Sequence, residues 1–95
     1  MTIYALSSGS GISGIAVIRV SGKDTDKVIK KLTLSKLPKP RVATLRKFNK
    51  NGGKELIDEG VIIWFPTPNS YTGEDLAEFH VHGSRAVIKA MHIAI

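Results

Sequence analysis

The chain has no cysteine among its 95 residues, which excludes disulfides and thiolate metal sites. No apolar run approaches the roughly 20 residues needed to cross a bilayer. The opening MTIYALSSGSG lacks the basic start and long apolar stretch of a secretory signal. Acids are scarce in the first half: residues 1–50 carry Asp24 and Asp26 against eleven Lys and Arg. Residues 51–95 reverse the balance, with six acids against Lys54, Arg85 and Lys89, and the whole chain carries +6. A basic half is either a footprint for nucleic acid or another polyanion, or a solvated lysine-rich face. Composition favours the solvated face.

Ninety-five residues make one domain at most. A chain of this length buries roughly two thirds of its unfolded surface, so its core is small. A hydrophobic content of 42% without low-complexity stretches nevertheless marks a folded segment.

TIYAL at residues 2–6 predicts a short strand, SSGSGISG a glycine-serine loop, and IAVIRV at 15–20 a second strand ended by Ser21-Gly22. KDTDKVIKKLTL predicts a helix with Asp24 as N-cap and Thr25, Val28, Ile29 and Leu32 on its apolar face. Lys27, Lys30 and Lys31 fall mostly opposite, and LPKP at 37–40 is expected to end the helix. RVATLRKF (41–48) reads as a strand and NKNGGK as a loop. ELIDEGVIIWF (55–65) reads as a strand with Gly60 marking a bulge. Its VIIWF segment is apolar on both faces, which predicts a central position covered on both sides.

PTPNSYTG (66–73) is an extended loop, and EDLAEFHVHG alternates. Ala77, Phe79 and Val81 share one face of that strand, with Glu78, His80 and His82 on the other. Ser84 caps a last helix, SRAVIKAMHIAI, which lacks a C-terminal signal and is expected to continue into a longer protein. Its Val87, Met91 and Ile95 are expected to be open to a partner. The order strand, strand, helix, strand, strand, strand, helix predicts a small α+β domain, two helices on one face of a mostly antiparallel sheet.

Residues 9–14, GSGISG, spell the G-x-G-x-x-G expression of dinucleotide cradles. A cradle needs a helix N-terminus aimed at phosphate, and a strand follows here instead. The acid expected about twenty residues on is replaced by Leu-Ser-Lys-Leu from position 34. The expression therefore matches without its chemistry.

His80 and His82 form H-x-H, two imidazoles on one face, too few for a metal without a third and fourth convergent ligand. Hydrogen-bonding roles are the favoured reading. Thr-Gly-Glu-Asp at 72–75 approximates a capping box, against which the following alternation argues. Arg19 shares a strand face with Ile15 and Val17. It is either a snorkelling strand-end arginine or a planar five-donor fork for a carboxylate or a heteroaromatic carbonyl. Glu78 projects from a strand whose other face is apolar, and a carboxylate there can accept two parallel hydrogen bonds from an amino-pyrimidine edge.

WFPTPNSYTGEDLAEFHVHGS (64–84), GISGIAVIRVSG near the start and KLPKPRVATL in the middle together closely resemble the N-terminal domain of the bacterial tRNA modification GTPase family, MnmE/TrmE. The likeness covers essentially the whole chain. It implies a fold like the folate-binding domain of the glycine-cleavage T-protein, with residues 1–95 a truncated tetrahydrofolate-binding and homodimerisation domain. It implies 5-formyltetrahydrofolate as ligand and Arg19 and Glu78 as the matching contact residues, with a further lysine beyond this chain. The loop SSGSGISG departs from the family's usual proline, arginine and glycine pattern, so its own contacts do not carry over.

The resemblance further implies a cytoplasmic parent enzyme with no membrane association. Acting with an FAD-dependent partner of the MnmG/GidA type, it would help install a carboxymethylaminomethyl group at C5 of the wobble uridine of certain tRNAs. GTP, potassium and magnesium would belong to a GTPase domain absent from this chain, which contains no G-x-x-x-x-G-K-[ST]. These 95 residues alone are thus expected to bind folate weakly or not at all and not to hydrolyse GTP. Rival expectations are a basic tRNA-binding module and a purely structural dimerisation domain.

Overall fold

In the computed structural model, which describes residues 3–6, 14–67 and 73–95, five strands form one sheet. The strands are β1 (Ile3–Leu6), β2 (Ile15–Ser21), β3 (Thr44–Lys50), β4 (Glu55–Phe65) and β5 (Leu76–His82). The helices are α1 (Thr25–Thr33) and α2 (Arg85–Ala94). Spatial order is β1-β2-β5-β4-β3, and every described pairing is antiparallel. This is the expected α+β arrangement, in the expected element order.

Alternation along the strands assigns the two sheet faces. Ala16, Ile18 and Val20 of β2, Ala77, Phe79 and Val81 of β5, and Ile62 and Trp64 of β4 are all buried. They join Phe48 of β3, Ile29 and Leu32 of α1, and Met91 and Ala94 of α2 in one core. Phe48 and Phe79 meet edge to face at 5.4 Å, the geometry that ring quadrupoles favour.

Both helices lie on this face, and that corrects two expectations. The other side of VIIWF is not covered by the described residues: Val61, Ile63 and Phe65 are only half-buried. Val87, Met91 and Ile95 are not open either, since Met91 is fully buried and the other two pack against the core. The large apolar residue that α2 does expose is Ile93.

The local signals fared unevenly. Ser84 caps α2 as expected, its Oγ accepting the Val87 N–H at 3.2 Å. Asp24 occupies the N-cap position of α1, but its side chain makes no cap hydrogen bond. The Thr25 hydroxyl instead donates to the carbonyls of Gly22 (2.8 Å) and Asp75 (3.2 Å), tying the helix start to the chain entering β5. Helix α1 stops before the prolines, at Leu34 in left-handed conformation (φ 53°), whose N–H reaches the Lys30 carbonyl.

The expected strand over 41–48 runs from 44 to 50 because Pro40 and Arg41 form a turn first. Gly60 marks no bulge. It stands in register opposite Arg46, and the register shift falls between Phe48 and Asn49. Gly60 is there for space, since a Cβ would run into the His80 carbonyl oxygen and the Phe48 ring.

Candidate functional site

The open face of the sheet carries the residues singled out from sequence. Register places Arg19 of β2 directly opposite Glu78 of β5, and Glu78 in turn opposite Ile63 of β4. Arg19 Nε donates to Glu78 Oε2 at 2.8 Å. The other carboxylate oxygen, Oε1, takes the His80 Nε2 at 3.1 Å, a contact that needs a proton on that nitrogen.

Glu78 is 8% exposed, a nearly buried carboxylate on the sheet face opposite both described helices. The Arg19 side chain is 49% exposed, so solvent screens the pair and its net worth is small, on the order of 1 kcal/mol. What the pair accomplishes is orientation. The carboxylate is held in one place between a guanidinium and an imidazole, with an acceptor lone pair left on each oxygen.

His82, next along the same strand, does not join His80 on a shared centre. Its backbone N–H and its Nδ1 both bond to the carboxylate of Asp58, at 2.8 Å each. The two histidines therefore serve two different carboxylates, and among the described residues no three His, Asp or Glu converge as metal ligands.

An apolar hollow of about 270 Å³ adjoins His80 and His82, walled by Ile15, Leu45, Val61 and the flank of Glu59. Glu78 reaches this hollow through its partner His80. The face thus combines half-exposed aliphatic side chains with one fixed carboxylate and one half-exposed guanidinium, a set suited to a flat heterocycle with an N–H-bearing edge.

The GSGISG segment lies outside the described residues except for Gly14, whose carbonyl accepts the Gly83 N–H at 3.3 Å. Its flanks are β1 and β2, antiparallel neighbours. Among the described residues the element that follows it is the strand β2, so no described helix N-terminus opens there. The Thr-Gly-Glu-Asp capping alternative fails because Leu76 begins a strand. Asp75 closes the preceding loop instead, its Oδ1 accepting the Thr67 N–H at 2.9 Å. Residues 68–72 of the PNSYTGED block lie outside the described residues.

Sequence reasoning missed Asp58 and weighed Asp75 only as part of a capping box; the partners of both are fixed by tertiary packing. A local hint existed for each: an acid inside the apolar run LIDEGVII, and an acid immediately before a strand.

The chain matches the family model described as GTP-binding protein TrmE N-terminus over residues 2–95. It belongs to this family. It is 72% identical over its whole length to the tRNA modification GTPase MnmE of Pelagibacter ubique (strain HTCC1062), of which it covers 21%. It is 53% identical over 90 residues, 95% of the chain, to the mitochondrial 5-taurinomethyluridine-[tRNA] synthase subunit GTPB3 of Danio rerio, covering 18% of that protein. A mitochondrial tRNA modification GTPase of Dictyostelium discoideum is likewise 53% identical, over 93 residues, with 92% of this chain and 18% of that protein covered. The chain thus spans about a fifth of the length of these TrmE-family relatives. Among the described residues no helix is long and apolar enough to cross a membrane.

Proposed function

We propose that this chain is the folate-binding and homodimerising N-terminal part of a tRNA modification GTPase, with Glu78 and Arg19 as its ligand contacts. The reading assigns residues 1–95 to a domain like the folate-binding part of the glycine-cleavage T-protein. The parent protein hydrolyses GTP in a domain beyond this chain, which uses potassium and magnesium. With an FAD-dependent partner it serves the modification of C5 of the wobble uridine in tRNA. The names carried by its relatives support the tRNA modification role.

The observation that carries the folate assignment is the fixed, nearly buried Glu78 carboxylate on the face opposite both described helices. The amino-pyrimidine edge of 5-formyltetrahydrofolate offers adjacent N–H donors, and each Glu78 oxygen retains acceptor capacity beyond its present partner. Arg19 contributes its terminal NH₂ groups, since only Nε is committed to Glu78. They can pair with a carbonyl or a carboxylate of the ligand. The half-exposed Val17, Val61 and Ile63 supply the apolar floor such a ring needs.

Calorimetric titration of the intact protein with 5-formyltetrahydrofolate tests the assignment. Saturable binding is expected, and its absence would sink the reading. Sedimentation with and without the ligand tests the dimer.

A further inference from the structure

The chain turns into β3 through Lys39, Pro40, Arg41 and Val42, with the Val42 N–H bonded to the Lys39 carbonyl at 3.3 Å. Proline at the second position fixes a negative φ there. Arg41 at the third has φ +64°, so this is a type II turn, whose third position favours glycine or asparagine. An arginine there costs backbone strain that glycine avoids.

The guanidinium of Arg41 lies over the ring of Phe65, 5.6 Å from its centroid. Phe65 alternates with the buried Trp64, so it points to the open face. It stands two residues beyond Ile63, the partner of Glu78, which puts it about 7 Å further along β4. Arg41 is exposed and forms no ion pair among the described residues. Its backbone N–H is locked onto the Trp64 carbonyl at 2.8 Å, which fixes the turn against the end of β4.

We infer that Arg41 is a third ligand-contacting residue of the open face, beside Glu78 and Arg19, held ready over Phe65 to pair with a carboxylate on the acidic tail of the ligand gripped at Glu78. This inference rests on the folate reading above. A guanidinium stacked on an aromatic ring keeps its in-plane N–H donors free at the ring's rim. A carboxylate can then be taken by two parallel hydrogen bonds. Glu78 would select the heterocycle and Arg41 the tail, from opposite sides of the Ile63–Phe65 strip.

The test is Arg41→Gly in the intact protein, with two readouts. Thermal unfolding reports the turn: glycine relieves the strain, so the melting temperature is expected to stay at or above the wild-type value. Titration with 5-formyltetrahydrofolate and with a tetrahydropterin lacking the glutamate tail reports the contact. The variant should lose about tenfold in affinity for the tailed ligand and keep its affinity for the tailless one. A melting temperature clearly below wild type would make Arg41 a structural residue and overturn the inference. So would unchanged affinity for the tailed ligand, while leaving Glu78 as the heterocycle contact. Failure of the wild-type protein to bind either ligand would remove both readings together.

Discussion

Arg19 Nε sits 2.8 Å from Glu78 Oε2, and the two residues are direct cross-strand partners although 59 positions separate them in sequence. The guanidinium is half exposed and the carboxylate nearly buried. Truncating the guanidinium leaves that carboxylate with His80 as its remaining partner among the described residues, so it costs both folding and binding. Arg19→Ala is expected to destabilise by about 1–3 kcal/mol and to weaken 5-formyltetrahydrofolate binding about tenfold or more. Denaturant unfolding and calorimetry on the same preparations separate the two effects.

Asp58 predicts an asymmetry with His82. Its side chain is 12% exposed and accepts from both the backbone and the ring of His82, whose own side chain is 74% exposed. Asp58→Ala leaves the His82 N–H without that partner and should cost about 1–3 kcal/mol. His82→Ala keeps the backbone bond and should cost less than half as much. Equal losses in urea unfolding would mean the ring, not the main chain, is what Asp58 secures.

Gly60 predicts a steric effect at a position in ordinary strand register. Its missing Cβ makes room for the His80 carbonyl and the Phe48 ring. Gly60→Ala is expected to destabilise by roughly 2–3 kcal/mol through overpacking. A neutral result in chemical denaturation would contradict the close approach of β4 and β5 at this point.

The lysines of α1 predict a null effect. Lys27, Lys30 and Lys31 are exposed, and Lys27 makes only a 3.6 Å contact with Asp24. Replacing all three by Gln should leave stability within about 0.5 kcal/mol and tRNA affinity of the intact protein unchanged at every salt concentration. A lower affinity with a shallower salt dependence would instead place phosphate contacts on this helix.

The sequence was most legible where one local pattern decides. The alternation of EDLAEFHVHG put Glu78, His80 and His82 on one face because a strand has period two. Ser84 was readable as a cap because its partner is three residues away. Legibility ended where partners are distant. Arg19 and Glu78 could each be singled out, but their contact depends on β2 pairing with β5 rather than with β3. The bare face of VIIWF depends on both helices choosing the same side of the sheet. Leu34 ends α1 in left-handed conformation ahead of the prolines at 38 and 40. Arg41 at a glycine position is invisible in sequence because nothing local announces a positive φ for arginine.

In the proposed complex the Glu78 carboxylate grips the ligand's amino-pyrimidine edge. Calorimetric titration of the intact protein with 5-formyltetrahydrofolate, wild type against Glu78→Ala, tests it most directly. Affinity is expected to fall by roughly tenfold to a hundredfold, the worth of hydrogen bonds to a charged group, while the variant keeps a cooperative unfolding transition. Unchanged affinity in a folded Glu78→Ala protein would contradict it.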